Sequence, residues 1–216
     1  MSLKILVIGD PHFMHNNKES TDIMHKSILS KVRENNPDII VVLGDFFDRH
    51  SEVNISAIQR GSEFIFDLMK ECHVYILVGN HDMLNNTQFF PKEHSLCAFK
   101  EYPEITIIEK TKKITLKDHD IVFVPYVPPG KFKEALDYVE NWENAKIIFA
   151  HQEFKGAMMT STRSSLTGDS WPEEYPWVIS GHIHTRHKIR NNIYYPGSPQ
   201  QVKINDDENR YIAKIE

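Results

Sequence analysis

The first half of the chain alternates short apolar runs with helical spacings, and each run stops in a polar cluster. Leu3 to Gly9 (LKILVIG), Asp38 to Leu43 (DIIVVL) and Val74 to Val78 (VYILV) read as buried strands. Between the first two, the pattern predicts a helix capped by Ser20 or Thr21. Ile23, Met24, Ile28 and Val32 lie roughly on its one face, and Asn35-Asn36-Pro37 ends it. A second helix is predicted from Ile55, Ile58, Ser62, Ile65 and Met69, spaced by three and four. The result is βαβαβ, with right-handed crossovers and three parallel strands.

Past Asp82 the pattern changes. Asn85 to Lys100 is irregular, with Phe89 and Phe90 reading as exposed. Ile105 to Glu109, Lys113 to Leu116 and Ile121 to Val127 are β-rich and predict a second, largely antiparallel sheet. Pro128-Pro129-Gly130 precedes a helix bearing Phe132, Leu136 and Val139. Lys146 to Ala150 and Trp177 to Ser180 are further strands. Gln152 to Pro176, which includes Ser161-Thr162-Arg163-Ser164-Ser165, has no clear period, and a loop of that length is functional or disordered. A hairpin across Asn191-Asn192, the turn Pro196-Gly197-Ser198-Pro199 and a closing strand from Arg210 to Ile215 complete the chain. Neither repeats nor linkers interrupt it, so residues 1–216 read as one domain.

Composition narrows the class. A chain of 216 residues, 40% hydrophobic and 25% charged, is ordinary for a soluble globular protein. It holds no apolar run of membrane-spanning length and no cleavable signal pattern, so no membrane role is expected. Two cysteines, Cys72 and Cys97, are too few and too far apart for a disulfide framework, so the expected setting is reducing and cytoplasmic. A net charge of -5 offers no general basic footprint for nucleic acid, although bound cations would add local positive charge.

The chemistry lies where the strands stop. Asp10 and His12, Asp45, Asn80 with His81, His151, and His182 with His184 all follow apolar runs. In open α/β sheets the carboxyl ends of the strands form the ligand-binding edge. Singly, each residue is as well explained as a turn or cap. Jointly, Asp10, His12, Asp45, Asn80, His151, His182 and His184 form an oxygen and nitrogen set without thiolate. Such a set suits manganese, iron(II), zinc or magnesium better than soft metals, and manganese is the expected ion. Seven donors exceed one ion's needs and suit two ions roughly 3.5–4 Å apart, as in phosphoester hydrolysis. The remaining histidines, His15, His25, His50, His73, His94, His119 and His187, read as surface residues.

The ordered set Asp10-x-His12, Gly44-Asp45-x-x-Asp48, Gly79-Asn80-His81-Asp82, His151 and Gly181-His182-x-His184 resembles the calcineurin-like metallophosphoesterase superfamily. The resemblance implies a four-layer α/β/β/α sandwich of two mixed sheets flanked by helices. It also implies a metal held by Asp10, His12 and His184, a second held by Asn80, His151 and His182, and Asp45 bridging. By the same resemblance, His81 protonates the leaving oxygen and the Asp48 carboxylate orients His81.

Within that superfamily the chain is most similar to SbcD-like nucleases of double-strand-break repair. Asp10-Pro11-His12, Gly44-Asp45-Phe46-Phe47-Asp48-Arg49 and Tyr195-Pro196-Gly197-Ser198-Pro199 carry this likeness, which places the Pro-Gly-Ser turn beside the metals. It implies a DNA exo- and endonuclease of recombination and repair, partnered by a coiled-coil SMC-like ATPase, and it allows a homodimer. Arg49, Arg186 and Lys188 are candidate substrate contacts, with Arg190 and the loop around Arg163 beside them. Such nucleases continue into a DNA-capping domain and an ATPase-docking segment, whereas this sequence stops at Glu216. A nuclease-domain fragment, a minimal phage- or virus-like form, and a phosphodiesterase or phosphatase of a small molecule or nucleotide all remain open. A scaffold without activity is the non-enzymatic alternative, and the presence of His81 with every ligand counts against it.

Overall fold

A computed structural model describes residues 2–160, 163–202 and 209–216. Its first sheet contains β1 (Ile5–Ile8), β2 (Ile39–Val42), β3 (His73–Leu77) and β4 (Ile105–Ile108), all parallel, with a late strand antiparallel on β1. That strand is β13 (Ala213–Ile215). The second sheet contains β5 (Lys112–Leu116), β6 (His119–Val124), β7 (Ile147–His151), β10 (Trp177–Gly181), β11 (His187–Ile189) and β12 (Ile193–Tyr195). Its order is β11-β12-β10-β7-β6-β5. The four central strands of this sheet are parallel, and only the edge strands β5 and β11 are antiparallel. The expectation of a largely antiparallel second sheet is therefore corrected, as is the placement of β4, which extends the first sheet beside β3.

Both faces of both sheets are covered, which is why the strands read as continuous apolar runs rather than alternating ones. Ile5, Val7, Ile39, Val41 and Leu77 of the first sheet meet Ile121, Phe123, Phe149 and Ile179 of the second in a shared inner layer. Tyr75 stacks on Phe123 across that layer, ring centres 4.7 Å apart. The alternate residues of the first sheet, among them Leu6, Ile8, Ile40, Val42 and Ile76, face two helices. These are α1 (Lys18–Asn35) and α2 (Ile55–Met69).

The helices depart from their predicted faces. The first begins at Lys18, ahead of Ser20 and Thr21, and Thr21 turns inward to Asn17 Oδ1 and Gln200 Oε1. Ile23 is 63% exposed. In α2, capped by the Asn54 side chain, the buried stripe is Ala57, Arg60, Gly61, Phe64, Ile65 and Leu68, and Ile55 and Ile58 face outward. Two overlapping apolar stripes competed for burial. The one with Phe64 prevails because its ring packs on Phe13 and Phe46, burying more area than an isoleucine would.

The outer face of the second sheet is covered mostly by irregular chain rather than by a helical layer. The short α3 (Phe132–Leu136) ends before Val139, and Trp142, Phe154, Trp171 and Tyr175 pack beside it. Trp171 meets Phe132, Trp142, Phe154 and Tyr175 at 5.0–6.0 Å. The segment after Gln152 is thus anchored by its own aromatic residues and carries a small ribbon, β8 (Met158–Thr160) with β9 (Arg163–Ser164). Ser161 and Thr162 lie outside the described residues. Phe90 is buried rather than exposed, packed with Phe89 on Tyr138. His94 is also buried, its Nε2 3.1 Å from Glu109. Among the described residues no helix is long and apolar enough to cross a membrane, and both cysteines are free.

The observed register of α2 predicts that Phe64→Ala costs about 3–5 kcal/mol of unfolding free energy. Ile55→Ala should stay within about 0.5 kcal/mol. Urea denaturation of the two variants measures both.

Candidate metal centre

The carboxyl ends of β1, β2, β3, β7 and β10 meet at one end of the two sheets. Three residues there leave ordinary backbone conformations: His12, Asp45 and His182 have φ of 45°, 44° and 79°. Such conformations cost about 1–3 kcal/mol each and persist only where their surroundings impose them. Here the impositions are visible. His12 N donates to the Asp45 carbonyl at 3.0 Å, and His182 N donates to Asp10 Oδ2 at 2.7 Å. Gly181 is required because a Cβ there would lie 2.3 Å from Asp10 Oδ1.

Three groups of side chains result, the third being His12, Asp48 and His81. In the first, ligand atoms of Asp10, His12 and His184 all lie within 4.8 Å of one another, with His12 Nε2 3.0 Å from His184 Nε2. In the second, Asp45, His151 and His182 meet the same criterion. Asn80 joins this group through Oδ1, 3.1 Å from His151 Nε2 and 2.7 Å from His182 Nδ1. Asp45 reaches both groups, its Oδ2 3.2 Å from His151 Nε2 and 3.8 Å from His12 Nε2. His151 Nδ1 donates to the Leu43 carbonyl at 2.8 Å, which turns Nε2 toward Asp45 and Asn80.

The electrostatics call for a cation. Asp10, His12, Asp45 and His151 are each at most 1% exposed. Burial pulls the His12 imidazole below its ordinary value, although Asp48, Asp45 and Asp10 oppose it. Burial alone would raise the Asp45 carboxyl, yet His151 and His12 hold it well below the usual range. His151 moves upward because Asp45 and Asp10 outweigh its burial. Asp10 Oδ1 is buried without a hydrogen-bond partner among the described residues. Isolated buried charge is costly, and carboxylates with facing imidazole nitrogens are the donors that a divalent ion satisfies. The residues therefore fit metal.

The family model for calcineurin-like phosphoesterases matches residues 3–186. The chain belongs to this family. It is 43% identical over 214 residues to "Putative phosphoesterase 244L" of Invertebrate iridescent virus 6, spanning 98% of this chain and 75% of that one. Its counterpart 078R of Invertebrate iridescent virus 3 is 38% identical, spanning 99% of this chain and 62% of that one. The DNA double-strand break repair protein Mre11 of Saccharolobus solfataricus is 22% identical, over 95% of this chain and 57% of that one. The chain thus spans between half and three quarters of these relatives.

Within this phosphoesterase fold, the seven expected metal ligands come together. His81 lies beside them, its ring edge-on to His12 at 5.1 Å. The Asp48 carboxylate lies within 4.8 Å of ring nitrogens of both His81 and His12, its Oδ1 3.4 Å from His12 Nδ1, and the Asp48 backbone carbonyl accepts His81 Nδ1 at 2.6 Å. Arg49 lines a cavity of about 190 Å³ with Asp48, Phe13 and Met14. Arg186 follows the His184 turn, its Nε 3.1 Å from the Tyr194 hydroxyl and its guanidinium over the Tyr211 ring. Lys188 is directed elsewhere, its ammonium over Trp177 at the amino end of β10. The Pro-Gly-Ser turn does reach the site, where Ser198 Oγ donates to the Asp10 carbonyl at 2.7 Å.

Four supporting residues had no role assigned from sequence. Asp82 accepts backbone N–H groups from Phe46, Phe47 and Gly79 at 3.0–3.1 Å, tying the loops after β2 and β3 together. Burial and the Asp45 charge push its carboxyl up to about 7 against those amides. Gln200 Nε2 donates to the carbonyls of Pro11 and His12. Glu153 Oε2 lies 3.8 Å from His182 Nε2, and the Tyr126 ring covers His182 at 5.9 Å. Of these, only Asp82 carried a sequence signal, as the last residue of Gly79-Asn80-His81-Asp82. Asp82→Ala would strand three buried N–H groups, each costing about 1–3 kcal/mol. Chemical denaturation should therefore show a loss of at least about 3 kcal/mol.

Proposed function

We propose that the chain is a metal-dependent phosphodiester hydrolase acting on DNA. Asp10, His12 and His184 would hold one divalent ion, Asn80, His151 and His182 a second, and Asp45 both, with manganese the first choice. One observation carries the hydrolase reading: Asp45 of one triad of ligand atoms comes within 3.8 Å of His12 in the adjacent triad, and His81 stands next to them with Nδ1 engaged by a carbonyl. Bound divalent ions supply an acidified water and offset charge on the phosphate.

The remaining chemistry belongs to the side chains. Hydrolysis joins a water oxygen to phosphorus and breaks the ester P–O bond. With Nδ1–H given to the Asp48 carbonyl, His81 in its protonated form presents Nε2–H to the departing oxygen, and the proton from water passes to solvent. DNA as substrate is supported by the similarity to Mre11 across 95% of this chain. Arg49, Arg186 and the ribbon at Arg163 would contact phosphates. A coiled-coil ATPase partner and a homodimer belong to the same proposal, on the strength of the SbcD-like resemblance.

A second reading, a small-molecule or nucleotide phosphodiester, is favoured by the net charge of -5 and by the aromatic contacts that engage Arg186 and Lys188.

Purified protein with Mn²⁺, assayed side by side on linear duplex DNA, single-stranded DNA and a bis-aryl phosphodiester, separates the two readings. On DNA, cleavage should fall steeply with salt, and Arg186→Ala should weaken it while sparing the small diester. Equal loss on both substrates would point to damaged folding instead. Elemental analysis should give two ions per chain. Asp45→Asn should weaken both sites, and His184→Ala mainly one. His81→Ala should keep its metal and lose about 10²–10⁴-fold in turnover on DNA, whose departing alkoxide needs a proton. Metal loss in that variant would make His81 a ligand.

A further inference from the structure

We infer that His50 is a positioning residue for His81, its ring locking the imidazole in the plane from which Nε2 faces the reacting ester. The inference rests on the reading of His81 as the proton donor. It starts from the Asp48 carboxylate, which lies within 4.8 Å of a His81 ring nitrogen but makes its 3.4 Å contact with His12 Nδ1, so that the bond to His81 comes from the Asp48 backbone instead. The bond from His81 Nδ1 to the Asp48 carbonyl fixes one direction in the ring, but an imidazole can still pivot about that bond. A flat group laid on the ring face removes the pivot. His50 is that group: its ring lies 4.7 Å from His81 and within 18° of parallel. His12 meets His81 edge-on at 82°. Three contacts from three directions therefore define one orientation.

What His50 presents to His81 is its ring face. Its Nδ1 is buried and has no hydrogen-bond partner among the described residues. His50 also belongs to none of the ligand groups found among them. A stacking role needs an aromatic ring and no polar atom. Two of the three contacts, from the Asp48 carbonyl and the His50 ring, come from the segment that begins at Asp45, so the residue that links the two triads and the support of the proton donor lie on one loop.

The test uses His50→Ala, His50→Phe and His50→Asn in the full chain with Mn²⁺, on two phosphodiesters. Bis(p-nitrophenyl) phosphate releases a phenolate that departs without a proton. A thymidine dinucleotide releases a sugar alkoxide that needs one. His50→Ala should lower kcat on the dinucleotide about 10- to 100-fold, the scale of a misplaced catalytic group. KM, metal content and the p-nitrophenyl ester rate should stay near wild type. His50→Phe should recover most of the loss, and His50→Asn should not.

An independent readout is the imidazole ¹⁵N spectrum of His81. It should show one fixed tautomer in wild type and His50→Phe, and averaged signals in His50→Ala. Equal loss on both substrates, loss of metal, rescue by Asn rather than Phe, or an unchanged His50→Ala would each overturn the inference. A wild-type protein inactive on both diesters would overturn the hydrolase reading instead, and the ¹⁵N comparison would still decide whether His50 fixes the ring.

Discussion

Everything at the active end of this molecule depends on buried carboxylates of one sheet meeting imidazoles of the other. Asp10 and Asp45 follow strands of the first sheet, His151 ends a strand of the second, and His182 directly follows another. The contacts that join them, Asp10 to the His182 amide and Asp45 to the His151 ring, cross the seam between the sheets. Asn80 adds a third crossing by reaching both histidines. The charge placed there is stable only with a compensating cation or proton, so the site and the closure of the two sheets are one problem.

The apolar layer beneath makes that meeting reproducible. Side chains such as Tyr75, Phe123 and Phe149 fill the space between the sheets and set how far apart the strand ends sit. Polar clamps then refine the loops. Asp82 joins the loops after β2 and β3, and Ser198 with Gln200 holds the loop after β1. The left-handed conformations of His12, Asp45 and His182 are the cost of aiming three side chains at one point. Membership in the calcineurin-like phosphoesterase family and the geometry of the triads agree on what such a point is for.

Much of this was legible along the chain. Strand cores were, because burial on both faces makes a continuous apolar run that local pattern reveals, as in Ile39 to Val42. So were the candidate ligands, because a polar residue directly after such a run has few other reasons to recur five times in order. The hairpin across Asn191-Asn192 was too, since a turn is a local event.

Helix faces and sheet membership were not. In α2 the stripe with Ile55 and Ile58 and the stripe with Phe64 and Leu68 are both apolar, and only the surface that the helix meets chooses between them. The partner of β4 is likewise a long-range choice, since its own sequence fits either sheet. The direction of a side chain at the site is decided the same way. Asp48 turns to His12, Lys188 to Trp177 and His50 onto His81, each in response to neighbours far away in sequence or brought near by a loop. Residue type and order by themselves determined the strands and the donor set. The tertiary structure alone decided which atoms face one another, because distance and orientation between separate segments are set by packing, which no local pattern encodes.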